Sequence, residues 1–252
     1  MSSVKVVFLG TNGWYNSPTG DTTCILLETK DSYIILDAGS GIAKLDRYIR
    51  KPKRAYLFLS HFHIDHVHGL HVLNKFKFPL GLTICCYEGG EKVLNQVMGQ
   101  PFTIALKDLP YKTTVRELNV GANNSFPFQV MCADLVHSSR CFGYRFEIDG
   151  KKIVLCTDTG YCPSAVELSR GADVLMAECA YKQGQVDESW PHLNPELAAK
   201  LAKEAGAKKL ALIHFDAENY QTFGQRTKAK AAAQKIFKNT IAAKDGMIIK
   251  VS

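Results

Sequence analysis

One short stretch, Ser60-His61-Phe62-His63-Ile64-Asp65-His66-Val67-His68-Gly69, limits what this chain can fold into more than any other. It follows Ala55-Tyr56-Leu57-Phe58-Leu59, an apolar run with aromatics that reads as a buried strand. Side chains at the mouth of a strand, ahead of a helix, can converge on a single point. Here that point receives the imidazoles of His61, His63 and His66 and the carboxylate of Asp65. Such nitrogen and oxygen donors suit zinc, manganese or iron, and the lack of sulphur argues against a structural zinc knuckle. One such stretch cannot close two metal sites. Further ligands are expected at the ends of other strands, and His137, Asp158 and His214 each occupy such an end.

The remaining pattern supplies those strands. Residues 4–9 read as the first, followed by a turning loop, Gly10 to Asp21, whose aromatics either pack under the site or stay available to a ligand. Residues 23–28 and 33–37 read as a strand pair leading into the small residues Ala38-Gly39-Ser40-Gly41. Helical periodicity covers Ile42–Ile49, a short helix follows Gly69, and residues 83–87 and 88–98 read as strand and helix. Residues 99–127, with prolines at 101, 110 and 127, are the least regular part and suggest an active-site rim or a variable connection. Strand alternation resumes at 128–132. Residues 141–148 and 152–156 form a hairpin across Asp149-Gly150. Residues 172–177 form a strand ending at Glu178; Pro195–Ala205 forms a helix capped by Asn194 and stopped by Gly206. Residues 208–213 form a strand ending at His214, and a helix at 224–238 and a strand at 246–250 complete the pattern. Two sheets packed face to face with helices outside, a four-layer αβ/βα sandwich of the α/β (α+β) class, accommodate this order.

No segment looks like a linker, so residues 1–252 are expected to form a single domain. A hydrophobic share of 46% with 22% charged residues fits a globular core, and no stretch is long and apolar enough to span a bilayer. The stretch Met1 to Gly10 lacks a signal-peptide layout, so a cytoplasmic location is expected. The eight cysteines include no Cys-x-x-Cys pair and sit largely in apolar runs, which reads as reduced and structural. A net charge of +7 leans weakly toward anionic partners.

The hexapeptide His61-x-His63-x-Asp65-His66 after a strand resembles the signature of the metallo-β-lactamase-fold hydrolases. That resemblance implies the same four-layer fold over nearly the whole chain. It implies one metal on His61, His63 and His137, a second on Asp65, His66 and His214, and Asp158 as the bridge. Two divalent ions are therefore expected, zinc first, with manganese, iron or nickel as alternatives. Their bound water, lowered in pKa to about 7, gives a hydroxide nucleophile that Asp65 would orient. An Asp-x-Gly placed like Asp37-Ala38-Gly39 buttresses the metal loop in that family, which sets Asp37 against a plain turn or N-cap reading. His68 and His71 fall outside the ligand pattern. A Glu at position 63 would point to the redox-active di-iron branch and a Cys at 158 to the true β-lactamases, and neither is present.

Within the family, Trp190-Pro191-His192-Leu193-Asn194 together with Glu178 is similar to ribonuclease Z and phosphoribosyl cyclic phosphodiesterase. The resemblance makes His192 a catalytic acid or transition-state clamp, and Glu178 the group that orients it. Ribonuclease Z carries a long arm between the residues matching His137 and Asp158, whereas here that interval holds only the hairpin. Some cyclic phosphodiesterases carry a cysteine zinc cluster that is missing here. The expectation is a phosphodiesterase on a small or cyclic phosphodiester, with a thioester, ester or lactone hydrolase as the alternative. The expected partner is a small anionic substrate; nucleic acid is disfavoured, and dimerisation is common in the resembled family.

Overall fold

The computed structural model describes residues 3–252; Met1 and Ser2, the start of the stretch read for a signal layout, lie outside them. Two seven-stranded sheets carry the architecture. The first runs, edge to edge, Ile248–Val251, Val4–Gly10, Cys24–Glu28, Ser32–Leu36, Arg54–Phe58, Leu82–Tyr87 and Thr113–Leu118. The second runs Thr240–Ala242, Leu210–Ile213, Val174–Glu178, Lys151–Cys156, Cys141–Ile148, Gln129–Leu135 and Gly121–Asn123. Each sheet is antiparallel at one side and parallel at the other, and the parallel strands matter most. Ser32–Leu36, Arg54–Phe58 and Leu82–Tyr87 are parallel neighbours in one sheet. Lys151–Cys156, Val174–Glu178 and Leu210–Ile213 are parallel neighbours in the other. Their C-terminal ends present the loops from which α/β folds build sites.

Period-two alternation sorts each strand between two cores. Val6 and Phe8 join Ile25, Phe58, Phe146, Leu155 and Ile213 between the sheets, while Val7 and Leu9 face outward with Leu26, Ile35 and Leu57. That outer face is covered by Ile42, Leu45, Leu70, Leu73 and Leu94. The outer face of the second sheet is covered by Ala198, Leu201, Ala229 and Ala233 from the helices Pro195–Glu204 and Phe223–Gln234. Helix, sheet, sheet, helix: this is the expected four-layer sandwich.

Several local expectations change. The helical turns at Ser40–Arg47 and His68–Lys75 are 3₁₀ rather than α, each tucked against the first sheet by a few apolar residues. Residues 99–127 form no rim over the site. Their strands Thr113–Leu118 and Gly121–Asn123 pair at the edges of the two sheets, and Phe126 packs on Tyr56 and Phe58 in the inter-sheet core. A helix at Pro163–Leu168, a strand at Thr240–Ala242 and the two-stranded pair Asn12–Gly13 with Phe215–Asp216 have no counterpart in the sequence reading. The hairpin at Asp149-Gly150 holds, with both residues at positive φ of 51° and 75° as a tight two-residue turn requires. Asn194 caps its helix through a bond from the Leu197 N–H, 2.8 Å.

Candidate metal centre

The strand Arg54–Phe58 delivers Ser60, His61 and His63 to the gap between the sheets, and the one-turn helix Ile64–Val67 adds Asp65 and His66. From the second sheet, His137 follows Gln129–Leu135, Asp158 follows Lys151–Cys156, and His214 follows Leu210–Ile213. The seven expected ligands among them meet. His61, His63, His137 and Asp158 form one group of mutually close donor atoms, and Asp65, His66 and His214 form another. Asp158 stands between them with one oxygen toward each. Its Oδ1 lies 3.1 Å from His66 Nε2 and 3.2 Å from His214 Nε2, while Oδ2 lies 3.8 Å from the Nε2 atoms of His61 and His137. Asp65 Oδ2 completes the second group, 3.4 Å from His66 and 3.3 Å from His214, and accepts the Trp14 N–H at 2.8 Å.

Asp37 controls the ring orientation of two of these histidines. Its Oδ1 accepts the Ser60 N–H at 2.7 Å; its Oδ2 accepts the Ser60 hydroxyl at 2.8 Å and faces His66 Nδ1 at 2.9 Å. A carboxylate offers only lone pairs, so His66 carries its proton on Nδ1. Because Ser60 spends its proton on Asp37, the contact of its Oγ with His61 Nδ1, 3.0 Å, makes His61 the donor there. With Nδ1 so engaged, both rings direct Nε2 toward the centre. The N-cap reading of Asp37 is excluded, since the following 3₁₀ turn starts from Gly39 with no side-chain cap. Tight backbone packing fixes this arrangement: a Cβ on Gly69 would sit 2.3 Å from the Gly39 carbonyl oxygen.

The donor set fits divalent ions. His61 Nε2 is buried without a hydrogen-bond partner, an arrangement that needs a ligand or costs desolvation. Burial drives His61 well below the ordinary histidine range, lowers His63 and brings His137 down to about 4, so these rings are neutral near pH 7 with free lone pairs. In the other group, burial opposes charge, yet Asp158 raises His66 and His214. Asp158 and Asp65 are themselves held low against burial, chiefly by His214 and His66 for the former and His66 for the latter. Protons on His66 and His214 thus balance the carboxylates in the metal-free centre, and divalent cations replace such protons on binding.

The centre opens into a cavity of about 670 Å³. Trp14, Ile64, Trp190, His192 and Asp216 line it beside His63, Asp65, Asp158 and His214. His192 Nδ1 lies 2.7 Å from Glu178 Oε1, leaving Nε2 for the cavity side, where His192 groups with Asp158 and His214. Glu178 is fully buried and also accepts the N–H groups of Thr159 and Ala180. Burial acts to lower His192, but the Glu178 carboxylate outweighs it and pushes the imidazole up to about 9. His68 and His71 turn to carbonyl oxygens of their own helical turns, outside both ligand groups. Trp14 belongs to the loop whose aromatics were expected either to pack under the site or to stay available to a ligand, and it lines the cavity. Asp216, two residues after His214, carries no sequence signal for a site.

The profile of the β-lactamase superfamily domain matches residues 32–215, a span that holds every residue of the two ligand groups. The chain belongs to the β-lactamase superfamily. Its architecture is the metallo-β-lactamase fold. It is 27% identical to the probable metallo-hydrolase YhfI of Bacillus subtilis, over 97% of this chain and 99% of that one. The YhfI crystal structure superposes with a TM-score of 0.82, covering 99% of this chain and 100% of the other at 23% identity. Ribonuclease Z of Acaryochloris marina is 26% identical over 96% of each chain. A diphosphatase of the PhnP family shares the fold at a TM-score of 0.75 and 17% identity, with 98% of this chain and 97% of the other covered. This superfamily member is a metal-dependent hydrolase, with clustered His and Asp side chains suited to divalent ions. Among the described residues no helix is long and apolar enough to cross a membrane.

Proposed function

We propose that the two ligand groups hold two divalent ions, zinc by preference, and that this superfamily member hydrolyses a small phosphodiester. The observation that carries the reading is the Glu178–His192 pair set against the cavity wall beside Asp158 and His214. A thioester hydrolase has less use for it, because a thiolate departs without help, whereas an alkoxide leaving phosphorus needs a proton. Bound ions would supply Lewis acidity and a water of lowered pKa. The chain's own groups do the rest. His61, His63 and His137 would hold one ion and Asp65, His66 and His214 the other, with Asp158 available to both. Asp65, fixed by the Trp14 N–H, orients the attacking water. His192, protonated at both nitrogens, keeps one N–H on Glu178, directs the other at a phosphoryl oxygen, and passes that proton to the departing alkoxide.

The relatives support this chemistry and narrow it. The match to ribonuclease Z runs over 311 aligned positions against 252 residues here, so that relative carries segments this chain lacks. The match to YhfI needs only 251. A small substrate is therefore favoured over transfer RNA. Eight buried cysteines, all free thiols, fit a reducing compartment such as the cytoplasm.

The test is turnover by metal-loaded protein of bis-p-nitrophenyl phosphate, cyclic nucleotides, ribose cyclic phosphate, a thioester and a lactone, beside Asp158→Ala and His192→Ala. The expected result is that Asp158→Ala loses turnover of every phosphodiester, while His192→Ala loses that of the cyclic nucleotides and ribose cyclic phosphate and keeps more of that of bis-p-nitrophenyl phosphate. Thioester or lactone turnover that survives His192→Ala, with phosphodiesters untouched, refutes the reading.

A further inference from the structure

The chain has two tryptophans, Trp14 and Trp190, and both line the cavity. Neither is used by the core: they are 61% and 48% exposed, and Ile64 beside them is 70% exposed. Large apolar side chains gathered at the mouth of a polar site call for an occupant. Backbone bonds hold both in place, and the Trp190 ring also packs edge-on against His137. The Trp14 N–H is bound to Asp65, and Trp14 adopts a left-handed backbone with φ 69°. The Trp190 carbonyl accepts the Tyr181 hydroxyl at 2.5 Å, and the Trp190 N–H donates to Asp187 at 3.3 Å. The Trp190 ring runs parallel to His63, 6° between planes, with centroids 6.1 Å apart. Two flat apolar surfaces are thus fixed beside the ligand groups while remaining open to solvent.

Charge restricts the occupant further. The charged side chains lining the cavity are Asp65, Asp158 and Asp216, besides histidines, and among the described residues no Lys or Arg lines it. A single phosphate would occupy the two ions and the His192 N–H, and beyond these no cation lines the cavity among the described residues to meet a second phosphate.

We propose that Trp14 and Trp190 form an aromatic seat for a flat ring on one ester arm of a singly charged phosphodiester, a nucleoside being the fitting class. This rests on the phosphodiesterase reading above. Every nucleobase has a π-face, and stacking on an aromatic side chain strengthens binding by on the order of tenfold per base.

The test compares thymidine 5′-(p-nitrophenyl) phosphate with methyl p-nitrophenyl phosphate, which share a leaving group and differ in the other arm. The metal-loaded protein is expected to favour the thymidine ester in kcat/KM by on the order of tenfold. That ratio falls toward one in Trp190→Ala and Trp14→Ala and is kept in Trp190→Phe. A second readout needs no catalysis. With both tryptophans at the cavity, adenosine titrated into metal-free protein quenches their emission saturably and ribose does not. A wild-type ratio near one, a ratio unchanged in both alanine variants, or no saturable quenching overturns the seat while leaving diester hydrolysis standing. No turnover of either diester sinks the phosphodiesterase reading instead, and the adenosine titration then decides the seat on its own.

Discussion

Asp37 lines neither the cavity of the centre nor a ligand group, yet on the proposed two-ion reading its replacement by Asn is expected to weaken metal binding at both groups. The carboxylate receives three donors: the Ser60 N–H, the Ser60 hydroxyl and His66 Nδ1. An asparagine keeps the shape but has one acceptor oxygen and one NH₂ group. If the NH₂ faces the Ser60 N–H, two donors collide in a buried space. If it faces His66, that ring must accept at Nδ1, which moves its proton to Nε2, the atom directed at Asp158 and His214. The same rotation frees the Ser60 hydroxyl from Asp37, so His61 Nδ1 also loses its fixed acceptor. Loss of such an outer partner typically weakens metal affinity by about 10–100-fold, or about 1.4–2.7 kcal/mol per site. The buried mismatch costs about 1–3 kcal/mol of fold stability. Competition for zinc against a chelating dye reads the affinity, and urea unfolding of the metal-free protein reads the stability separately. Ser60→Ala is the dissecting control, since it removes the His61 relay while leaving Asp37 on His66. Affinities within about twofold of wild type in Asp37→Asn, with the protein folded, would refute the tautomer argument.

Three further outcomes follow from the same geometry. Glu178→Gln leaves His192 in place but removes the charge that favours its protonation; turnover of alkyl diesters is expected to drop by about 10²–10⁴-fold, and that of p-nitrophenyl diesters far less. An equal loss across leaving groups in a leaving-group series would assign the pair a structural role only. Gly13→Ala places a Cβ 2.4 Å from His214 Cε1, so the ring must shift; zinc titration is expected to show one weakened equivalent, and two intact equivalents would count against that placement. In the metal-free protein His192 titrates at about 9 when folded against about 6.5 when unfolded. A raised folded pKa gives a stabilisation fully present below pH ~6.5 and lost as pH rises through ~9, about 3 kcal/mol in all. Wild type is therefore expected to lose more urea resistance over that window than His192→Gln, and equal losses would contradict the ion pair with Glu178.

The hexapeptide and its preceding strand were legible because both signals are local: an apolar run, then four ligand-type residues at fixed spacing. His137, Asp158 and His214 were legible only as residues at strand ends, and it is the meeting of two sheets that gathers them. The elements misread share a cause. The 3₁₀ turns at Ser40–Arg47 and His68–Lys75 have apolar spacing compatible with an α-helix, and only their packing against the first sheet selects the tighter form. Residues 99–127 look like a loop by their prolines and asparagines, but each sheet has an edge to complete and takes a strand from them. The loop's aromatics announced a ring near the site, but the Trp14 N–H on Asp65 is a backbone contact that any non-proline residue can make, so no side-chain pattern could announce that bond.

The backbone at the strand ends shows why the sheets alone do not make the site. Asp37, Asp158 and His214 have φ values of 58°, 50° and 48°, a left-handed conformation uncommon outside glycine. Each comes just after a parallel strand, where an extended continuation would carry the side chain past the strand end and away from the other sheet. A left-handed residue turns the chain sharply there and points the side chain back across the gap. Such residues cost on the order of 1 kcal/mol or more each, and persist where the surroundings over-determine them. Here the surroundings are the fully buried strands Ser32–Leu36 and Leu210–Ile213 and the buried end of Lys151–Cys156. Glycine at these positions would relieve the strain and lose the ligand or its support. Core packing and site geometry are therefore in opposition at these three positions, and the rigidity of the two parallel strand sets holds the donors in place before any ion arrives.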